Sequence, residues 1–161
     1  MFGFLKKKTS DNEIIYAPMA GKAIESSEIP DPTFGEEMLG KGMAIVPSEG
    51  KLYAPFDGTV SVVFKTCHAI TMTSDAGTEM LLHVGLDTVS LKGGPFDVKV
   101  AEGSTVKKGD LLMEFDISAI KEAGLSIISP MVICNSDDFN DVIRIPSGDV
   151  VPGDKLMEIV R

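Results

Sequence analysis

Apolar residues along this chain come in short bursts that are too brief and too closely punctuated for amphipathic helices. The stretches "EIIYAP", "GMAIVP", "GTVSVVF", "HAITMT", "EMLLHV", "DLLMEF", "SPMVIC" and "KLMEIV" each run for a few residues before Gly, Pro, Asp or Ser intervenes. Apolar runs of strand length separated by turn residues predict an all-β fold, an antiparallel sandwich or barrel. One helix is expected over Ile117–Ala123, where Asp116 can accept from the first turn and Gly124 can end it in a left-handed conformation. A second helical turn is expected over Phe34–Leu39.

The pattern also repeats. "APMAG" at 17–21 returns as "APFDG" at 54–58, and "TVKKGDLLMEF" at 105–115 returns as "DVVPGDKLMEI" at 149–159. Internal duplication is therefore expected, with two related β units packed together. The Gly-Asp pairs belong in tight turns where Gly takes a positive φ, each followed by a strand.

Composition narrows the class. A chain of 161 residues suits one well-buried domain, placed at 13–161 after an N-terminal tail at 1–12. The excess of 24 acidic over 15 basic residues, a formal charge of −9, argues against nucleic acid, whose phosphates would be repelled. Cys67 and Cys134 lack CxxC spacing and read as buried, reduced thiols of a cytoplasmic protein. No apolar run approaches the roughly 18 residues that span a bilayer. The start "MFGFLKKK" has its charges after too short an apolar stretch for a signal or anchor, leaving at most peripheral membrane contact through residues 1–8.

The chemistry centres on two histidines, His68 in "KTCHAIT" and His83 in "LLHVGLD", joined by a turn at "SDAG". A hairpin loop of two or four residues places them directly opposite each other. A three-residue loop offsets the register by one and sends them to opposite faces. In the even register Met80, Leu82, Val84, Cys67, Ala69 and Thr71 form a core face. Leu81, His83, Phe64, Thr66, His68, Ile70 and Met72 then form an apolar docking face with imidazoles at its centre. Like charges disfavour each other, so at least one ring is neutral near pH 7 and offers a nitrogen lone pair. Zinc lacks a third ligand and an HxH or HExxH pair, so His68 and His83 make no intrinsic metal site, although a partner's carboxylate can complete one. No GxSxG elbow supports a serine triad. Phosphoryl acceptance needs less: a neutral imidazole in one tautomer, donors around the phosphate and a docking surface. Two other readings stand beside it, a zinc hydrolase on a duplicated sandwich and a lipoyl or biotinyl carrier, the latter lacking a lysine displayed in a hairpin.

"KTCHAITMTSDAGTEMLLHVGLDTVSLKGGPF", with "APFDGTV" and "VKKGDLLMEFD", resembles the glucose-type enzyme IIA of the bacterial phosphoenolpyruvate-dependent sugar phosphotransferase system. The likeness runs from about Ile14 to Ile159. It implies an antiparallel β-sandwich with internal duplication, the duplicated hybrid motif, carrying one or two short helices. It also implies a phosphotransferase component that works through a phosphohistidine and needs no cofactor. By this resemblance His83 accepts the phosphoryl group on Nε2 from HPr and passes it to a cysteine of an enzyme IIB domain, serving sugar uptake. His68 matches the residue that holds the phosphate, Thr66 the hydroxyl that orients His68, and Gly85 the carbonyl that takes the Nδ1 hydrogen of His83. Asp87 lies close to the site. Phe34, Met38, Leu39, Phe64 and Leu81 match an apolar rim that receives partners, and of these Phe34, Met38 and Leu39 come from the resemblance alone. Thr73 stands where some relatives carry an acidic residue. The acidic stretch "ESSEIPDPTFGEE" beside the rim suits steering of a basic partner. Regulatory protein targets are a further expectation, with a monomer as the working state. Neither the sugar nor the particular IIB protein is encoded here.

Overall fold

The computed structural model describes residues 11–161, so most of the expected tail and the expected membrane contact at 1–8 lie outside the described residues. The short apolar bursts become strands. They are β1 (Glu13–Tyr16), β2 (Gly21–Glu25), β3 (Lys41–Pro47), β4 (Lys51–Tyr53), β5 (Gly58–Val63), β6 (Ala69–Ser74) and β7 (Glu79–His83). The second half adds β8 (Phe96–Val98), β9 (Thr105–Val106), β10 (Leu111–Phe115), β11 (Ser129–Ile133), β12 (Asp141–Arg144), β13 (Gly148–Val150) and β14 (Lys155–Val160). An eight-stranded sheet has the order β13-β2-β3-β11-β7-β6-β5-β9, and two three-stranded sheets have the orders β1-β14-β12 and β4-β10-β8. Every recorded pairing is antiparallel. The main core is shared by all three sheets, with Ile15, Leu52, Leu112 and Ile159 of the small sheets meeting Ile45, Met72, Leu82 and Met131 of the large one.

The sequence repeat is a structural repeat. Ala54 donates to Asp110 O and accepts from the Gly109 amide at 2.8 and 2.9 Å, while Ala17 does the same with Asp154 and Gly153 at 2.7 and 3.2 Å. Between the units the bonds are reciprocal: the Tyr16 amide donates to Pro55 O and the Tyr53 amide to Pro18 O, at 3.0 and 2.7 Å. Gly109 and Gly153 take φ of 90° and 95°, as a tight turn requires. Each following aspartate accepts a backbone amide three residues back, from Lys107 and Val151 respectively.

Helix α2 (Ile117–Glu122) forms as expected, with Asp116 Oδ1 accepting from the Ala119 amide at 3.0 Å and Gly124 at φ 81° beyond its end. The second helical turn is displaced: α1 is Pro32–Gly35, not Phe34–Leu39. Asp31 caps it through the Thr33 amide and Pro32 fixes its first φ, a start signal that outweighs the more apolar residues downstream. Both cysteines are free, but Cys134 is exposed and Cys67 half-buried, so neither is the buried thiol expected. Cys134 follows the last residue of β11, where the strand leaves the core.

Candidate active site

The β6–β7 hairpin does not have the even register. Ala69 pairs with His83, Ile70 with Leu82 and Met72 with Met80, one residue away from the pairing that would oppose the histidines. The imidazoles nevertheless meet, their centroids 4.8 Å apart and their planes at 84°. The expectation that this register would part them fails because His68 precedes β6 and escapes strand alternation. Residues 64–67 form a turn closed by the Cys67 amide on Phe64 O at 2.7 Å, and Cys67 is left-handed at φ 60°. That twist returns the next side chain to the face its position in a continuous strand would deny it.

The register corrects the face assignment too. Ile70 and Met72 belong to the main core with Met80, Leu82 and Val84. Ala69 sits on the other side, with Leu81, in a smaller apolar cluster that includes Phe34, Ala44, Leu86 and Val132.

His83 closes β7, and the chain then turns sharply. Its Nδ1 hydrogen donates to Gly85 O at 2.7 Å, which leaves Nε2 of a neutral ring as the lone-pair nitrogen. Gly85 has φ 78°, and a Cβ there would stand 2.5 Å from Thr88 Cγ2 and 3.0 Å from Ser126 O. The Gly85 amide donates to Ser129 Oγ at 3.2 Å and the Thr88 hydroxyl to Val84 O at 2.5 Å, so the turn is pinned from two sides. His68 is buried, and its Nδ1 shares a 2.8 Å hydrogen bond with the Thr66 hydroxyl.

Each imidazole carries an aromatic neighbour, Phe34 at 5.0 Å from His83 and Phe64 at 5.5 Å from His68. Burial, then the neighbouring His68, push the pKa of His83 down to about 4. The Gly85 carbonyl, Asp31 and Asp87 pull the other way and are outweighed. Burial lowers His68 as well. Both rings are therefore neutral bases near pH 7.

Not every residue expected at the site lines its surface. Phe34 and Leu81 are buried in the smaller apolar cluster, Phe34 against the His83 ring, and do not form an exposed rim. Phe64 is partly exposed at 37%. Met38 and Leu39 are exposed, but the cavity they border is completed by Lys41, Cys134 and Ser136 and includes neither histidine. Asp87 is exposed and left-handed at φ 59°, acting on His83 through its charge. The sequence reading missed Asp31 and Ser129. Asp31 was legible as a helix cap in the pair Asp31-Pro32, but Ser129 lies 44 residues from the amide it holds and left no local signal. Among the described residues no group of three or more His, Cys, Asp and Glu is placed to hold a metal ion, and no helix is long and apolar enough to cross a membrane.

A neutral, tautomer-fixed imidazole beside a second buried imidazole is an arrangement for holding an anion against a nucleophile. The pattern of the family described as "phosphoenolpyruvate-dependent sugar phosphotransferase system, EIIA 1" matches residues 13–139. The chain belongs to this family. Membership makes it a phosphotransferase-system component. It is 45% identical over 149 residues to a "PTS system beta-glucoside-specific EIIBCA component" of Dickeya chrysanthemi, covering 92% of this chain and 24% of that protein. A protein of the same description from Halalkalibacterium halodurans is 42% identical over 153 residues, covering 95% of this chain and, again, 24% of the relative. The chain thus spans about a quarter of the length of these relatives. Among solved structures, glucose permease IIA from Mycoplasma capricolum superposes with a TM-score of 0.84 at 33% identity, covering 98% of this chain and 99% of that one. That likeness joins the observed strand order in establishing the antiparallel β-sandwich.

Proposed function

We propose that this EIIA-1 chain carries a phosphoryl group on His83, taken from phospho-HPr and delivered to a cysteine of an enzyme IIB domain for sugar uptake. The observation that carries the reading is the 2.7 Å bond from His83 Nδ1 to Gly85 O, which reserves Nε2 for the phosphorus. In the first step the Nε2 lone pair bonds to phosphorus as the nitrogen–phosphorus bond to HPr breaks, and that electron pair stays on the HPr imidazole. In the second, a cysteine thiolate bonds to phosphorus, and the Nε2–phosphorus pair returns to His83.

His68 serves both steps. With the Thr66 hydroxyl donating to Nδ1, neutral His68 carries its proton on Nε2 and directs it at a phosphate oxygen. Phe64 supplies exposed apolar area beside the rings for the docking of both partners, and the acidic segment around Asp31 suits a basic donor. The relatives named as EIIBCA components support a IIB acceptor. The chain acts on the cytoplasmic side, where phosphoenolpyruvate is available.

The test is incubation with phosphoenolpyruvate, enzyme I and HPr, followed by intact-mass measurement. One phosphoryl group is expected on the unmodified chain and none on His83→Gln, since an amide forms no stable phosphoramidate. A modified His83→Gln chain would place the acceptor elsewhere.

A further inference from the structure

The connection from β2 to β3, residues 26–40, joins no sheet, and its helix α1 has only four residues. So short a helix is held by tertiary contacts and not by propensity. Ile29 and Phe34 pack in the smaller apolar cluster with Ala44, Leu81 and Val132, and the polar contacts of the connection converge on Gly42. The last pair between β2 and β3 is Glu25 with Met43, so the Gly42 groups on that side extend past the end of the neighbouring strand. Its amide donates to Glu37 Oε2 at 3.2 Å, and its carbonyl accepts from the Ser26 hydroxyl at 2.7 Å and from the Arg144 guanidinium at 3.4 Å. Arg144, reaching over from β12, closes the arrangement by an ion pair to the same Glu37 oxygen.

Glu37 is also tied to the helix. It is left-handed at φ 56°, its amide donates to Phe34 O at 3.1 Å, and the next amide, Met38, donates to Thr33 O at 3.1 Å. Phe34 lies 5.0 Å from the His83 ring. Beneath the connection is a cavity of about 530 Å³ bordered by Glu25, Ser26, Glu36, Glu37 and Arg144. The lining of this cavity includes neither histidine, so loss of the ion pair leaves the connection room to shift into it.

We propose that Glu37 and Arg144 are positioning residues: their ion pair, anchored on Gly42, holds residues 26–40 so that the Phe34 ring stays against His83. As a statement about phosphoryl transfer this rests on the reading of His83 as the acceptor. Neither residue touches a histidine. Their effect passes through Phe34, which keeps water from one face of the imidazole and limits its rotation.

The test compares the full chain with Arg144→Met, Glu37→Gln and Arg144→Lys. The readouts are nuclear Overhauser contacts between the Phe34 and His83 rings, the titration of the His83 nitrogens, and the rate of acceptance from phospho-HPr. His68, Asp31 and Asp87 also act on that titration and are unchanged in all three variants. Arg144→Met and Glu37→Gln should lose the ring contacts, raise the His83 titration by roughly one pH unit as water returns, and slow acceptance about tenfold through misplacement. Arg144→Lys should restore most of each. Wild-type ring contacts and titration in both Arg144→Met and Glu37→Gln would overturn the proposal. If Arg144→Met fails to fold, Glu37→Gln decides, because it keeps the side-chain shape. An unmodified chain that accepts no phosphoryl group refutes the reading of His83, while ring contacts and titration still decide the positioning.

Discussion

At His83 burial opposes charge, and burial wins. With the folded value near 4 and the ordinary value at 6.5, the folded ring refuses a proton that the unfolded ring takes between those limits. Fewer bound protons in the folded state mean that stability rises with pH across this window. The contribution is complete above about pH 6.5 and is lost as pH falls toward 4, in total on the order of 3 kcal/mol. Urea unfolding from pH 7 to 4 should show a steeper acid decline in the native chain than in His83→Gln, and equal slopes would refute the depressed value. The same titration bears on rate: acceptance from phospho-HPr should be flat from pH 8 to about 5 and fall through about 4. The second histidine separates the two transfers. His68→Gln keeps one donor near the phosphate but loses the charge an imidazolium can develop, so it should accept the group yet deliver it to IIB far more slowly. Equal delivery by both proteins in a chase with IIB would assign the phosphate to other donors.

The β6–β7 hairpin shows how far local sequence reaches. The strands, the turn between them and the two histidines were all legible from "HAITMT", "SDAG" and "EMLLHV", because apolar runs and turn residues are local signals. Register was not, since it rests on how the loop closes, with the Ser74 amide on Thr78 O and Gly77 at φ 101°; nor was the side His68 takes, which one left-handed residue at Cys67 decides without warning from its type. Gly85 was named by the family resemblance, which implied its carbonyl role; the turn that aims the carbonyl, with φ of 78°, had no reading in the local sequence. For the element carrying Phe64 the expectation concerns docking. Phe64 is partly exposed and touches His68 edge-on, so Phe64→Ala should leave the melting temperature within a few degrees and raise KM for phospho-HPr more than it lowers kcat. Phe56→Ala, by contrast, opens the main core and should cost about 3 to 5 kcal/mol. A collapse of Phe64→Ala comparable to that of Phe56→Ala would make Phe64 a core residue.

In the whole molecule the two related units are interleaved. Outward from the β11/β7 junction the large sheet runs β3, β2, β13 on one side and β6, β5, β9 on the other, so equivalent strands occupy equivalent places. The equivalent connections, 26–40 and 64–68, have diverged, yet each brings one phenylalanine to one histidine. One unit is contiguous from β4 to β10, while the other is assembled from both ends of the described chain through the pairing of β1 with β14. That closure is reinforced by Glu13, which accepts from the Arg161 guanidinium at 2.7 Å and from the Thr78 hydroxyl at the turn of the histidine hairpin. Arg161 also lies over the Phe139 ring, and the Arg161 and Glu13 side chains are only 12% and 14% exposed. Arg161→Met should strand the Glu13 carboxylate and lower stability by about 2 kcal/mol, read as a reduced urea midpoint at constant m. Glu13→Gln in the Arg161→Met background removes the stranded charge and should recover part of that loss, although Glu13→Gln alone is destabilising. This sign reversal in a double-mutant cycle is the signature of a desolvated pair. Simple additivity of the two substitutions would mean that the ends are held by β1–β14 pairing alone.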